Sequence, residues 1–255
     1  MGERGWGSEG LAASQVAPAP VALEAPVALE GPGHRHPHLN TIPRRTDHVP
    51  IVAEPAIFQN ALAPLRRQKF PAPGEEGSRT ILFDIETLRS AADVGGWDKA
   101  HRMGVAIGVL CHLEEGRFEI YSETGVRALV EALRAATLVI GFNIRRFDYR
   151  VLSGYTGEDF ARLLPTLDLL EDVHSRLGFR VGMGHLALET LGCPKSADGL
   201  QSLEWVREGR LDLVEAYCRR DVEILRDLYL HGRREGFLFY RDKKRDLKLK
   251  LRVEW

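Results

Sequence analysis

Residues Thr80–Thr87 read TILFDIET, an apolar run that leads into two acidic residues separated by one isoleucine. The apolar, β-branched beginning of this run predicts a buried strand. Alternate residues of a strand point to the same face, so Asp84 and Glu86 are expected to project together from its end. Such a pair is more often a solvated turn than a metal site, and its meaning depends on what the chain places beside it.

Two further acidic residues occur downstream, each in a predicted element that can position it near Asp84 and Glu86. Asp148 follows a short apolar strand predicted at 138–142 and lies near the start of a helix. Asp221 lies four residues after Tyr217 in a long predicted helix, and residues at this spacing share one face. Taken singly, Asp148 also fits a helix N-cap, and the other two residues also fit a core tyrosine and a surface carboxylate. If the first and fourth strands are neighbours, all four acids converge at one edge of the sheet.

Four carboxylates gathered at one edge repel one another unless cations neutralise them. Hard divalent ions, Mg²⁺ or Mn²⁺, are the usual partners of carboxylate oxygens. Two such ions can stabilise both the attacking and the leaving oxygen of a phosphoryl displacement, and they lower the pKa of a bound water. The residues therefore favour a two-metal phosphodiester-cleaving site in which Tyr217 orients the attacking water. The predicted metal ligands are Asp84, Glu86, Asp148 and Asp221.

The rest of this region predicts an α/β protein. Two more strands are expected at Met103–Leu113 and Phe118–Tyr121, joined by a tight turn, and a helix with Ser122 as its N-cap is expected to run to Ala136. The strand at 138–142 is entirely apolar, which is typical of a central strand covered on both faces. This order predicts a mixed sheet with helices on its faces. Further helices are predicted at 147–154, 169–177, 183–191 and 211–231.

Composition separates an N-terminal region from the rest of the chain. Eleven of the thirteen prolines lie between Pro18 and Pro73, and the segment APVALE occurs twice in succession. Such a composition buries too little apolar surface to offset chain entropy, so residues 1–77 are predicted to form a disordered tail. Within it, residues 51–70 fit either a short amphipathic docking segment or an unstructured linker. A histidine tract fits a solvated tail better than a transition-metal site: His34, His36 and His38.

The C-terminal segment 236–255 reads as two short strands around a charged turn. Residues 247–253 alternate strictly, with leucines on one face and basic side chains on the other, which predicts a β-hairpin with one solvated face. The hairpin holds seven basic residues against Asp242 and Asp246. That excess fits a strip that guides nucleic acid and fits a solvated surface equally well. Residues 78–235, between the tail and the hairpin, are predicted to form the catalytic domain.

Bulk properties narrow the classes of function. The net charge is −1, so no strong overall field draws the chain onto nucleic acid, and any basic contact must be local. The three cysteines are far apart and form no CxxC pair, which argues against a zinc knuckle or a disulfide framework and fits a reducing cytoplasm. No apolar run resembles a signal peptide or is long enough to span a bilayer, so no membrane partner is expected.

The three acidic segments resemble the Exo I, Exo II and Exo III motifs of the DEDD 3′–5′ exonucleases, the DnaQ-like branch of the ribonuclease H-like superfamily. Ala216 stands where the histidine form of the third motif has its histidine, so the tyrosine form, DEDDy, is favoured. The resemblance covers about residues 78–240 and is nearest to the YprB-like ribonuclease H-like domain proteins. The segments that carry the three motifs are FDIET at 83–87, GFNIRRFD at 141–148 and YCRRD at 217–221.

The resemblance implies a ribonuclease H-like three-layer fold, in which helices flank a central mixed five-stranded sheet. It implies that Asp84, Glu86 and Asp221 hold the catalytic ion, with Asp148 helping directly or through water. Residues expected to contact the substrate are Thr87 and Leu88 at the 3′-terminal nucleotide, Asn143 at the metal site or the substrate backbone, and Arg146 at phosphates. Asp168, at the end of another predicted strand, is expected to cap a helix or support the site rather than bind metal.

The function expected from these residues is 3′–5′ exonucleolytic hydrolysis of single-stranded DNA or RNA with two divalent cations, Mg²⁺ or Mn²⁺. One alternative is a non-catalytic ribonuclease H-like module that binds nucleic acid or scaffolds a repair or helicase complex through the N-terminal tail. A module that only binds has no need of four acids and a tyrosine, so their presence argues against it. Another alternative is an endonuclease with the same site. Whether cutting is end-directed depends on the loops near 88–102 and 155–165.

Overall fold

The computed structural model describes residues 77–193 and 199–255, and its centre is a five-stranded sheet in the order β3-β2-β1-β4-β5. Strand β1 pairs antiparallel with β2 and parallel with β4, so the first and fourth strands are neighbours, as predicted. Strands β2 and β3 form the antiparallel half of the sheet, and β4 and β5 extend the parallel half. The strands are β1 (Thr80–Thr87), β2 (Val105–His112), β3 (Arg117–Ser122), β4 (Leu138–Gly141) and β5 (Thr166–Asp168).

Helices cover both faces of this sheet, which confirms the predicted α/β architecture and is consistent with the ribonuclease H-like fold. The helices are α1 (Ala91–Val94), α2 (Val126–Arg134), α3 (Asp148–Thr156), α4 (Phe160–Leu163), α5 (Leu169–Leu177), α6 (Met183–Leu191), α7 (Gly199–Arg207) and α8 (Leu211–Glu235). Two 3-10 helices, Trp97–Arg102 and Glu123–Gly125, precede β2 and α2 respectively.

The prediction for the helix after β3 was wrong at its beginning. Ser122 precedes the short 3-10 helix Glu123–Gly125, and its side chain makes no capping hydrogen bond. Its hydroxyl lies 3.0 Å from that of Thr124 instead. This local hydrogen bond replaces the one that the serine would make as an N-cap. The α-helix proper starts at Val126 and ends at Arg134.

Strand β1 is buried on both faces and separates two apolar clusters. Ile81, Phe83 and Ile85 pack with residues of α2 and α3 on one side. Leu82 packs on the other side with residues of α8. Since side chains alternate along a strand, Asp84 and Glu86 lie on the α8 side of the sheet. The sheet thereby directs both acids toward α8, the helix that carries Asp221.

The C-terminal segment forms the predicted β-hairpin, from β6 (Phe237–Asp242) and β7 (Leu247–Arg252). One of its faces is buried with residues of α5, α6 and α8 in a third apolar cluster. The buried side chains of the hairpin are Leu238, Tyr240, Leu249, Leu251 and Val253. The hairpin therefore shares a core with the helices that follow the sheet.

The predicted N-terminal tail, with its histidine tract and the segment 51–70, lies outside the described residues except for Gly77. Across residues 77–193 and 199–255, no helix combines the length and the apolar character that are needed to cross a bilayer.

Candidate metal centre

Three of the predicted acids meet on the α8 side of the sheet. Asp84, Glu86 and Asp221 each offer a carboxylate oxygen, and these three oxygens lie within 4.8 Å of one another. The first two residues come from β1 and the third from α8, which packs directly across that strand. Asp221 is buried, whereas the two strand residues keep partial exposure. The structure thus gathers carboxylates that are far apart in sequence into one all-oxygen cluster.

Asp148, the fourth predicted acid, lies beside this cluster rather than within it. It is the first residue of α3 and is buried, with 2% of its surface exposed. Its Oδ1 accepts a hydrogen bond of 3.2 Å from the backbone N–H of Ile85, the residue between the two strand acids. Because its side chain bonds across to β1, Asp148 does not act as the N-cap of its own helix. It ties α3 to the strand that carries the cluster.

Tyr217 lies one helical turn before Asp221 on α8, and both side chains are buried. The Asp221 carboxylate is one of the negative groups that act on the tyrosine hydroxyl. Burial, followed by the charges of Asp221 and Glu86, raises the pKa of the tyrosine, so its hydroxyl stays protonated at neutral pH. Its ring meets the ring of Trp205 edge-on at 6.2 Å between centroids. The helix face predicted from the spacing is therefore present.

The acids raise one another's pKa in the metal-free protein. Burial is the largest cause for Asp84, and the charges of Asp148, Glu86 and Asp221 add to it, so the pKa of Asp84 is well above its usual range. Burial likewise raises the pKa of Asp148 to about 8. Charged carboxylates held this close together in a partly buried site are costly without a cation, which is the electrostatic condition that divalent ions relieve.

Sequence reasoning missed Cys218, which lies directly beneath the cluster. Its thiol is fully buried and points at the carbonyl oxygen of Asp84 at 3.4 Å and at Oδ2 of the same residue at 3.7 Å. Burial raises the pKa of this thiol well above its usual value, so the sulfur keeps its proton and can donate to the carboxylate. Its position next to Tyr217 in the third motif was the available signal.

Asp168 shapes the turn that leads from β4 to α3. It is the N-cap of α5, with its side chain accepting from the N–H groups of Leu170 and Glu171. The same carboxylate accepts from the N–H of Asn143 at 2.8 Å and from that of Arg145 at 3.1 Å. The predicted capping role is confirmed, and the carboxylate also holds the second motif in place.

The cluster lies in an open cleft of about 1690 Å³, which reaches from β1 to α6 and α7. Trp97 on the wall is 70% exposed and meets the Phe147 ring edge-on, with 5.8 Å between centroids. Four arginines also contribute to the lining: Arg146, Arg150, Arg180 and Arg207. Carboxylates on the floor with cations and an exposed aromatic ring on the walls suit an extended anionic ligand that carries flat groups.

The predicted substrate residues are distributed around this cleft. Thr87, Asn143 and Arg146 line the cleft. Leu88 is partly buried and packs against the apolar cluster on the α8 side of the sheet. The Thr87 hydroxyl donates to the carbonyl of Arg89 at 3.0 Å. Asn143 adopts a left-handed backbone with φ of 70°, and its side-chain oxygen accepts from Arg180 at 2.7 Å. Contact of these four residues with nucleic acid stays a prediction.

Other basic residues near the motifs have structural partners. Arg145 donates to the carbonyl oxygens of Ala161 and Thr166, which ties the second motif to α4 and to the first residue of β5. Arg219 and Arg220 both pair with Glu223 on the exposed side of α8. Each of these three arginines is therefore held by a partner within the domain.

No family model matches this sequence, and no curated protein matches it either. Among solved structures, the chain is similar to the family B DNA polymerase from the hyperthermophilic archaeon Pyrobaculum calidifontis. The identity is 16% and the TM-score is 0.47, over 62% of this chain and 24% of the polymerase chain. Similarity at this level supports no inference about function, so the chemistry of the site must carry that inference.

Proposed function

We propose that this protein is a metal-dependent 3′–5′ exonuclease that hydrolyses single-stranded DNA or RNA. The observation that supports it is the meeting of Asp84, Glu86 and Asp221 within 4.8 Å on the floor of an open cleft. The 3′-to-5′ direction rests on the resemblance of the three motifs to the DEDDy exonucleases. The free cysteines, Cys111 and Cys218 among them, favour action in a reducing cytoplasm.

The donor set fits hard divalent ions. All three clustered ligands are carboxylate oxygens, which Mg²⁺ and Mn²⁺ prefer, and Asp148 adds a fourth carboxylate beside them. The mutual repulsion that raises the pKa of Asp84 is relieved when a cation binds. When bound, two such ions supply stabilisation of the attacking and leaving oxygens of an in-line phosphoryl displacement.

The protein's own residues would position the reactants. Asp84, Glu86 and Asp221 hold the ions, and Asp148 keeps the backbone between the two strand acids in place through Ile85. The Tyr217 hydroxyl, on the same face of α8 as Asp221, is placed to orient the attacking water. Arginines of the cleft wall, Arg146 and Arg180, offer donors for phosphate oxygens, and the exposed ring of Trp97 offers a stacking surface for a base.

A denaturing-gel time course tests this proposal. Single-stranded DNA and RNA labelled at the 5′ end are incubated with the protein in EDTA, Mg²⁺ or Mn²⁺, beside the variants Asp84→Ala and Asp221→Ala. Asp212→Ala is the matched control, because Asp212 is an exposed acid on the same helix α8 whose side chain pairs with Arg210. The expected result is a metal-dependent ladder that shortens from the 3′ end, given by the wild type and the control alone.

Other outcomes of the same gel have definite meanings. Internal cuts that disappear in the two site variants would make the protein an endonuclease with the same metal centre. Absence of cleavage with either ion, from protein that melts cooperatively, would contradict the proposal and favour a non-catalytic binding module.

A further inference from the structure

The outward face of the C-terminal hairpin carries only aromatic and basic side chains over the paired positions 237–241 and 248–252. In register, Phe237 faces Arg252, Phe239 faces Lys250, and Arg241 faces Lys248. The ammonium of Lys250 lies 4.1 Å from the ring centroid of Phe237, and that of Lys248 lies 4.6 Å from the ring centroid of Phe239. We call these six residues the hairpin face. Each ring of the hairpin face therefore lies opposite a cation on the neighbouring strand.

Hydrogen bonds from the domain hold this hairpin at both ends. At the edge of β6, the Thr190 hydroxyl accepts from the N–H of Phe239 and the His185 imidazole accepts from the N–H of Arg241, each at 2.9 Å. Beyond β7, the indole N–H of Trp255 donates to Asp172 at 2.8 Å. Because its apolar side is buried, the hairpin presents its other side as a fixed surface rather than as a loose arm.

The hairpin face begins where the cleft ends. His185, which binds the backbone of Arg241, also lines the cleft. Beside it, the carboxylate of Glu189 bonds Arg241 at 3.0 Å and lies 4.0 Å from the ammonium of Lys248. Glu189 is 8% exposed, so one buried acid orients two cations at the junction. A ligand leaving the cleft past His185 therefore meets this basic end of the hairpin first.

We propose that the hairpin face binds the part of a single-stranded nucleic acid that extends out of the cleft; this inference rests on the proposed function and extends its substrate path. Cations on the face suit phosphates, which supply most of the affinity for nucleic acid, and aromatic rings at strand spacing suit stacking with unpaired bases. An acidic protein would contact the cations and make no use of the exposed parts of the Phe237 and Phe239 rings. A single strand uses both kinds of side chain.

Charge reversal on the full-length protein tests the phosphate contacts. Binding of a fluorescent single-stranded oligonucleotide is measured by anisotropy in EDTA, at several salt concentrations, for Lys248→Glu/Lys250→Glu. The control is Arg127→Glu/Arg162→Glu, which reverses two exposed bases on α2 and α4, helices that contribute to the opposite core cluster. The hairpin variant is expected to bind at least about tenfold more weakly, with a salt slope lower by about 1.4, since each phosphate contact on a single strand contributes about 0.7. The control should bind like the wild type.

A second variant pair tests stacking separately from charge. Phe239→Leu keeps an apolar side chain but removes the ring, and it is expected to weaken binding by about fivefold or more without changing the salt slope. Phe239→Tyr keeps the ring and should bind like the wild type. Melting temperatures of all the variants identify any that lose binding only because they unfold.

The possible results separate this inference from the proposed function. Cleavage by a protein whose hairpin variants bind and cut like the control would overturn the inference and leave the exonuclease standing. Hairpin-dependent binding without cleavage in Mg²⁺ or Mn²⁺ would support the inference about the hairpin face and contradict the proposed exonuclease activity. If polyglutamate competes as well as the oligonucleotide, the face is a general anion surface, and the inference is also overturned.

Discussion

At the scale of single residues, Asp84 works against the stability of the metal-free protein. Burial and three neighbouring acids raise its pKa, so its charged form is unfavourable in the absence of cations. The substitution Asp84→Asn removes that charge and keeps the shape of the side chain. We expect it to leave the melting temperature in EDTA equal to or higher than that of the wild type. We also expect it to abolish the rise in melting temperature that Mg²⁺ or Mn²⁺ gives the wild type.

Scanning calorimetry or thermal fluorescence with and without each ion measures both effects. A variant that melts well below the wild type in EDTA would show that the carboxylate stabilises the fold, contrary to this interpretation.

Asp148 gives the metal-free protein a pH dependence of defined sign. Its folded-state pKa is about 8, whereas an aspartate in an unfolded chain titrates near pH ~3.9. Between these values the native state retains a proton that the unfolded state has released, so the free energy of unfolding falls as pH rises. One full proton corresponds to about 1.4 kcal/mol per pH unit. The contribution is complete below the unfolded pKa and is lost once the pH passes the folded one.

Urea unfolding in EDTA between about pH 5 and pH 8 measures this slope. Asp148→Asn is the control, because its amide oxygen can still accept from Ile85 but its side chain does not titrate in this range. We expect the variant to lose stability less steeply than the wild type over this interval. Parallel curves for the two proteins would contradict the assignment to Asp148.

At the scale of secondary-structure elements, the close approach of α3 to the 3-10 helix Trp97–Arg102 depends on Gly154. A Cβ atom at this position would lie 1.9 Å from the backbone oxygen of His101, and a backbone atom cannot swing aside as a side chain can. Gly154→Ala is expected to push the two elements apart and lower the free energy of unfolding by about 1–3 kcal/mol. Chemical denaturation measures it.

Gly199→Ala is the matched control, because no atom of residues 77–193 or 199–255 is found within 4 Å of a Cβ at that position in α7. Stability of the Gly154 variant equal to that of the control would show that the two elements tolerate separation.

The elements that sequence reasoning predicted correctly are those with a strong internal signal. The apolar run before Asp84, the apolar strand β4 and the helix that carries Tyr217 and Asp221 all showed periodicity or burial in their own residues. The helices α1 and α4 were not predicted, since four residues carry little periodicity and their boundaries depend on tertiary contacts. Helix α7 was not predicted either, because its buried residue is Ser202 and no apolar stripe marked it in the sequence. The capping error at Ser122 has a different origin, because a local side-chain contact competed with the helix start.

The candidate site could be predicted as far as the spacing of residues along a strand or helix determines the face to which their side chains point. Residues two apart on a strand and four apart on a helix share a face, which was enough to bring Asp84, Glu86 and Asp221 together. The third motif pointed to Cys218, but the contact of its thiol with Asp84 depends on how α8 crosses the sheet. Trp97 lies on a 3-10 helix that had no sequence signal. The bond from Asp148 to the backbone of Ile85 depends equally on tertiary packing.

At the scale of the whole molecule, the apolar clusters of the described region lie between Ile81 and Trp255. We therefore expect a protein that begins at Gly77 to keep the melting temperature of the full chain. A protein that ends at Glu235 would expose the side chains that the hairpin covers, and it should melt at a lower temperature or aggregate. Differential scanning calorimetry on the two truncations compares them directly. A large loss of stability on removing residues 1–76 would show that the N-terminal region contributes to the folded core.

Helix α8 continues without a break from Leu211 to Glu235, and the hairpin follows it directly. At 1.5 Å per residue, the fourteen steps from Asp221 to Glu235 set an interval of about 21 Å between the acidic cluster and the end of the hairpin that holds Phe237. A single-stranded nucleic acid that is cut at the acidic cluster and bound at this end of the hairpin loses its contact with the hairpin once it becomes shorter than the interval. Digestion should then slow, so that oligonucleotides of one short length collect on the gel before they disappear. If the shortest products vanish at an undiminished rate, the two ends of the helix do not act on the same strand.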